Sequence, residues 1–254
     1  MTSLRPKLWT GMSAAILITA SLSACGEKGA DQHAQGGNTP APAVGEGGEG
    51  GAEGGAAAGG EAGAQAAYVS VPAASRVSLR LAHLKGFFLI AQKQTAGADA
   101  AAALAGQGML EVWDAQPGAF KAAGLDEKLL RKAADTGAPA DLAAAVAAIE
   151  AAQAKAGGDA TAVAKGMLSI ATGLYSGVVT ADGVDATEYQ HSYGAILSAQ
   201  QSLEAAAKAK PALAGAKADM AKLVGMWPAP EAPKAPTPVA QVSGQAARVE
   251  LALS

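Results

Sequence analysis

Apolar residues recur at steps of three and four between Tyr68 and Met226, and this spacing constrains the fold more than any other feature of the sequence. Alanine dominates the segment and β-branched residues are sparse, which favours helices over strands. The clearest apolar stripe consists of Val163, Met167, Ile170, Leu174 and Val178. We therefore predict an all-α fold, an antiparallel bundle of about six helices in a domain that covers residues 68–227.

Proline, glycine and capping residues set the expected bounds of these helices. Pro117 and the pair Gly157-Gly158 are predicted to end helices, and Asp159 is predicted to cap the start of one. The expected long helices cover about 73–94, 98–115, 140–156, 159–178 and 187–209, and shorter ones cover about 126–134 and 211–226. Short connections between them favour antiparallel neighbours.

Two segments of biased composition flank the predicted domain. Residues 25–67 are almost wholly Gly, Ala and Glu with a few polar residues, which predicts a disordered tether. A flexible chain of some 40 residues reaches on the order of 35 Å. Residues 228–254 begin with regularly spaced prolines, which predict an extended Pro-rich tail. Its last residues, 248–254, turn apolar again and are expected to fold back on the domain.

The N-terminus has the layout of a signal peptide over residues 1–24. Arg5 and Lys7 precede a short apolar run that ends at Leu22. The following residues complete the sequence Leu22-Ser23-Ala24-Cys25, which resembles the lipobox of bacterial lipoproteins. The resemblance implies cleavage before Cys25 and a diacylglycerol with further acyl chains such as palmitate on that cysteine. Because Gly26 is not the aspartate that signals inner-membrane retention, an outer-membrane anchor facing the periplasm is expected.

Composition and missing motifs exclude several classes of function. The chain has one cysteine, so a lipidated Cys25 leaves nothing for disulfides. Its net charge is −3 and its Lys and Arg residues are scattered, so no nucleic-acid partner is expected. The sequence has no Gly-x-Ser-x-Gly elbow, no phosphate-binding Gly-rich loop with Lys and Ser or Thr, and no His-Glu-x-x-His. We therefore predict that the chain is not an enzyme.

Five polar residues stand where the helical pattern suggests a site. His83 lies on an apolar stripe, Glu111 and Asp114 are three apart, and Glu188 and His191 form a Glu-x-x-His pair. Residues three apart on a helix project to the same side. Carboxylates and imidazoles on facing helices bind divalent metal ions in bundle cores. The sequence therefore gives a candidate metal site composed of these five residues, with a divalent metal ion as the cofactor.

Each of these residues also has a structural interpretation. A histidine on an apolar face, such as His83, is commonly a hydrogen-bonded core residue. Asp185 followed three positions later by Glu188 predicts a capping box at a helix start. Glu111 and Asp114 also fit a solvated helix face. A di-iron site would need a second Glu-x-x-His, which the sequence lacks.

At family level, an exported helical lipoprotein with a few His, Glu and Asp residues is similar to the imelysin and periplasmic iron-uptake bundle group. The resemblance implies a metal-handling role in uptake. The Gly-x-His-x-x-Glu motif of that group is absent, because Leu84, Lys85 and Gly86 follow His83, so its metal residues are not transferred. Two hypotheses remain: an anchored lipoprotein that binds a metal ion or small ligand, or a structural lipoprotein that docks an envelope protein without a metal site.

Overall fold

The computed structural model describes residues 59–254, with side chains described from Ala64 onward. The predicted signal peptide, Cys25 and most of the predicted tether lie outside the described residues. The described part of the chain contains ten α-helices and one two-stranded hairpin. The prediction of an all-α bundle is therefore confirmed, with more helices than the six expected.

Most of the helices follow one another with short connections, and the longest connection in the described part of the chain, residues 225–238, joins α9 to α10. In chain order they are α1 (Gly59–Ser70), α2 (Arg76–Gln92), α3 (Ala98–Gly108), α4 (Pro117–Ala122), α5 (Glu127–Thr136), α6 (Pro139–Ala156), α7 (Ala160–Tyr175), α8 (Ala186–Ala209), α9 (Ala214–Val224) and α10 (Val239–Ala252). A π-helical turn, Met109–Trp113, continues α3, and short 3₁₀ turns, Ala73–Ser75 and Pro211–Leu213, precede α2 and α9. Between α7 and α8, β1 (Val179–Thr180) pairs antiparallel with β2 (Gly183–Val184), with Val179 opposite Val184.

Capping aspartates start three of the helices. The side chain of Asp126 accepts a hydrogen bond from the backbone of Lys128 at the start of α5. Asp159 accepts one from Thr161 at the start of α7. Asp185 accepts bonds from the backbone N–H groups of Thr187 and Glu188, the second and third residues of α8. Each carboxylate satisfies donors that have no partner inside the helix.

The centre of the bundle is the antiparallel contact between α2 and α8. A Cβ added at Gly194 would lie 2.5 Å from the carbonyl oxygen of Gly86, so only glycine allows this backbone approach. One turn away, the Ser198 hydroxyl donates to the Ala82 carbonyl at 2.6 Å. α7 packs along α8, and α6 packs against α2. This arrangement leaves α2, α6, α7 and α8 side by side.

Both ends of the helical part differ from the predicted bounds. Helix α1 begins at Gly59, within the predicted tether, because Ala64, Ala67 and Tyr68 are buried in the core. Residues 239–252 form α10, which buries Val242 and Val249. The helical part is therefore longer than 68–227.

The Pro-rich segment before α10 lies on the bundle. The hydroxyl of Tyr175 donates to the Thr237 carbonyl at 2.8 Å, and that of Tyr189 donates to the Ala229 carbonyl at 3.1 Å. Trp227 is buried, packs edge to face on Tyr175, and donates from Nε1 to the Ser192 hydroxyl at 2.9 Å. These hydrogen bonds hold the carbonyls of a segment whose prolines have no backbone N–H to donate.

Candidate functional site

His83 lies on α2 in the core, where it shares a hydrogen bond with the first helix. The Tyr68 hydroxyl of α1 and His83 Nδ1 are 2.5 Å apart. The guanidinium of Arg80 covers the Tyr68 ring at 4.0 Å from its centre. Burial, with smaller contributions from the neighbouring His191 and Arg80, lowers the pKa of His83 to about 3. His83 is therefore a neutral, hydrogen-bonded core histidine at neutral pH.

His191 lies on α8 and is bound by groups from α3 and its π-helical extension. Its Nε2 is 2.9 Å from Gln107 Oε1, which is hydrogen-bond distance. Its Nδ1 is 3.8 Å from Glu111 Oε2. Burial lowers the pKa of His191 to about 4. The structure thus brings His191 and Glu111 together, as the candidate metal site requires.

The ring of Phe87 separates the two histidines. Its centre is 5.5 Å from that of His83 and 4.7 Å from that of His191, with the latter pair edge to face. An aromatic ring between two imidazoles favours packing over ligation of one ion. We name the set Tyr68, His83, Phe87, Gln107, Glu111 and His191 the histidine cluster.

The other two candidate ligands have different surroundings. Asp114 Oδ1 is 3.0 Å from the Arg131 guanidinium, which also pairs with Glu127. Glu188 lies in the first turn of α8, where its backbone N–H bonds to Asp185 and its side chain lies near Gly177. Within residues 59–254, no group of three or more His, Cys, Asp and Glu side chains is placed to hold a metal ion. The metal hypothesis gains no support from the described residues.

A cavity of about 560 Å³ opens on another part of the bundle, between α2, α6, α7 and α8. Its polar lining includes Lys85, Glu150, Gln153, Gln201, Glu204 and Lys208. The charged and amide residues of the lining are three positions apart on α6 and three, four or seven positions apart on α8, so those on one helix project to the same side. The volume lies within the range of about 300 to 1,000 Å³ that is usual for small-molecule sites.

Lys85 is the most unusual residue of the cavity. Its side chain is only 5% exposed, and its Nζ is 3.6 Å from Oε1 of Glu150, whose side chain is 50% exposed. Burial lowers the pKa of Lys85, and the Glu150 carboxylate partly opposes this effect. Lysine is rarely buried in proteins. A buried ionisable group with a shifted pKa in a cleft is a candidate functional residue.

Amide side chains add hydrogen-bonding groups to the same cavity. Gln153 Nε2 donates to the Ser78 carbonyl at 3.2 Å, and the Ser78 hydroxyl donates to the Gly157 carbonyl. The buried Oε1 of Gln201 has no hydrogen-bond partner among the described residues. A buried acceptor without a partner costs stability, so this oxygen adds to the unsatisfied polar groups beside the cavity.

The sequence analysis did not identify this cavity. One signal was available, because Lys85 stands inside the long apolar run of α2 at a position that helical spacing makes buried. Gln201, Glu204 and Lys208 also repeat at helical spacing on α8. These residues lie around the same cavity as Lys85 only because four helices pack together, which the spacing along one helix does not predict.

Neither a protein-family model, a curated protein nor a solved structure matches this chain. Among the described helices, none combines the length and the hydropathy needed to span a membrane.

Proposed function

We propose that this chain is a lipid-anchored protein of the bacterial cell envelope whose helical domain binds a small polar molecule. The lipid on Cys25 attaches the chain to the outer membrane, facing the periplasm, and residues that follow it serve as a tether. The bundle is a binding module and not an enzyme. The ligand is a small molecule, one of the two kinds that the sequence suggested, and it binds in the cavity instead of at the five predicted metal ligands.

A single observation carries the proposal: Lys85 is buried in the wall of a cavity of about 560 Å³. A buried charge costs several kcal/mol when its partners are imperfect. Glu150 at 3.6 Å is a distant and half-exposed partner. A core that only needed stability would be better served by an apolar residue at position 85, so the lysine is best explained by a ligand.

The binding claim is tested by thermal unfolding of the full chain with a panel of amino acids, dipeptides, carboxylates, amines and sugars. A ligand at a hundred times its Kd adds about 2.7 kcal/mol. For a domain of this size we expect the midpoint to rise by about 5 to 10 °C. Ala205→Trp, an exposed lining position, should abolish the shift, whereas Ala209→Trp, exposed outside the lining, should keep it.

Two results would overturn the binding proposal. No shift with any member of the panel would favour the alternative of a protein that docks an envelope partner. A shift with Zn²⁺, Fe²⁺ or Mn²⁺ that His191→Gln abolishes and Ala205→Trp leaves intact would favour the metal site.

The anchor is tested separately with Cys25→Ser. Cells fed labelled palmitate should label the wild-type chain and not the variant, and the variant should leave the membrane fraction. Equal labelling or equal membrane retention of the two chains would contradict lipid attachment at Cys25.

A further inference from the structure

The charged groups of the cavity form an inner and an outer set. Lys85 is the inner group, with its side chain 5% exposed. Glu150 lies beside it with half of its side chain exposed, and Glu204 and Lys208 are exposed residues of α8. The four charges that line the cavity, two Lys and two Glu, sum to zero. A ligand therefore meets a positive group at depth and, nearer to the solvent, two carboxylates and one ammonium, an outer set with a net charge of −1.

Lys85 keeps hydrogen-bonding capacity for a ligand. Its ammonium has three donors and no acceptor. The distance of 3.6 Å to Glu150 exceeds the usual 2.7 to 3.2 Å of a hydrogen bond that an N–H donates to oxygen. A ligand carboxylate would be a stronger partner than Glu150 if it approached to the roughly 2.7 to 2.9 Å of a charge-assisted N–H to O bond.

The outer part of the cavity offers acceptors. Glu150 and Glu204 are exposed carboxylates of the lining. A ligand ammonium group would donate hydrogen bonds to these two carboxylates. Ala154, Ala160, Val163 and Ala205 add apolar surface between the charged groups.

We propose that the cavity binds a small zwitterion, an amino acid or a short peptide with free ends, whose carboxylate binds Lys85 and whose ammonium binds Glu150 and Glu204. This inference depends on the proposed function and specifies its ligand. A simple anion would meet two carboxylates, and a diamine would meet two lysines. A sugar is uncharged and would supply no negative group to Lys85. Only a ligand that carries a carboxylate and an ammonium group matches both the inner and the outer set of charged groups.

Binding of three small probes to the full chain tests the inference by calorimetric titration. L-alanyl-L-alanine carries both charges, propionate carries only the carboxylate, and propylamine carries only the ammonium. We expect the dipeptide to bind at least tenfold more tightly than either single-charge probe. We expect Lys85→Gln and Glu150→Gln each to weaken it by about tenfold to a hundredfold, since bonds to charged groups contribute roughly 1.5 to 3 kcal/mol.

The control variant is Lys222→Gln, because Lys222 also pairs with a carboxylate, that of Asp219 at 3.1 Å, but lies on α9 with its side chain 65% exposed. It should bind the dipeptide with unchanged affinity. Thermal unfolding of each variant without ligand separates a loss of folding from a loss of binding, and Ala205→Trp provides a second way to close the cavity.

The outcomes separate this inference from the proposed function. If the dipeptide and other zwitterions fail to bind while a sugar or a simple acid binds in a manner that Ala205→Trp blocks, the zwitterion inference is wrong and the binding function stands. If zwitterions bind and Lys85→Gln does not weaken them, the assigned role of Lys85 is wrong. If the whole panel fails to bind, both proposals fail.

Discussion

The histidine cluster and the cavity both place ionisable groups inside the bundle, and they differ in how those groups are partnered. In the cluster, His83 and His191 each have a hydrogen-bonding side chain within 3 Å, from Tyr68 and Gln107. In the cavity, Lys85 has a carboxylate at 3.6 Å that is half exposed. The cluster is built as part of the core, whereas the cavity holds a charge that the protein only partly satisfies. Partnering, more than the rarity of a residue type, therefore separates the core histidines from Lys85, whose charge has only a distant carboxylate.

The largest expected effect is the acid sensitivity of the histidine cluster. The folded pKa values of about 3 for His83 and about 4 for His191 lie below the ordinary 6.5. The unfolded chain therefore binds more protons, and stability falls as pH drops below about 6.5. Between pH 7 and pH 5 we expect a loss of about 2 kcal/mol per histidine, measured by urea unfolding.

The pH range isolates the histidines from the carboxylates. Paired carboxylates such as those of Asp141 and Glu127 have pKa values below their ordinary 3.8 and 4.5. The stability that they contribute to the fold is therefore lost at a lower pH than that of the histidines. His191→Gln should remove about half of the loss between pH 7 and pH 5. A stability that stays constant over this range would contradict the burial of neutral histidines.

The next effect is on the hydrogen bond that joins α1 to α2. Tyr68→Phe keeps the ring and leaves His83 Nδ1 buried without its hydroxyl partner. We expect a loss of about 1 to 3 kcal/mol of unfolding free energy at pH 7.5. Tyr193→Phe is the matched control, because Tyr193 is a core tyrosine and the structure gives its hydroxyl no hydrogen bond among the described residues. Equal losses of unfolding free energy for the two variants would show that the Tyr68–His83 hydrogen bond does not stabilise the fold.

A smaller effect on stability is expected in the cavity. Lys85→Met replaces a buried ammonium by an apolar side chain of similar length. Because replacing a buried ion by a well-packed apolar group is often neutral or stabilising, we expect the unfolding free energy to change by less than about 1 kcal/mol or to increase. The measurement is urea unfolding at pH 7.5. A loss of about 3 kcal/mol or more would make Lys85 a structural residue, like those of the cluster.

The smallest effect is expected at the mouth of the cavity. Lys208 is exposed on α8, so Lys208→Gln should change the unfolding free energy by less than about 0.5 kcal/mol. Its effect on the affinity for L-alanyl-L-alanine should be a few-fold at most, because exposed charges are screened by water and salt. Urea unfolding measures the change in stability, and calorimetric titration at low and high salt measures the change in affinity. An effect as large as that of Lys85→Gln would move the main binding contact to the mouth.

Local rules predicted the helices whose ends carry their own signals. Asp159 and Asp185 cap α7 and α8 as the sequence indicates, and Gly157 follows the last residue of α6. The helical stretch before Pro117 ends at Trp113, so the expected stop is present. Pro117 also begins α4, which was not predicted, because proline at the first turn of a helix loses no hydrogen bond. Helix α1 was not predicted because its Gly- and Ala-rich sequence has the composition of a linker, and its burial comes from packing against α7.

The candidate site was predicted in part. Helical spacing correctly indicated that His83 and His191 are interior, and the structure brings Glu111 to His191. Phe87 between the rings and Gln107 beside His191 come from the crossing of α2, α3 and α8, which spacing along one helix does not give. The cavity was missed for the same reason, although Lys85 in an apolar run was a visible signal.

The most direct test of the central claim compares two variants in one binding measurement. The claim is that the cavity around Lys85, and not the histidine cluster, binds the small molecule. Thermal shifts with the small-molecule panel are measured for the wild-type chain, Ala205→Trp and His191→Gln. We predict shifts that persist in His191→Gln and vanish in Ala205→Trp. Shifts that vanish in His191→Gln and persist in Ala205→Trp would contradict the claim.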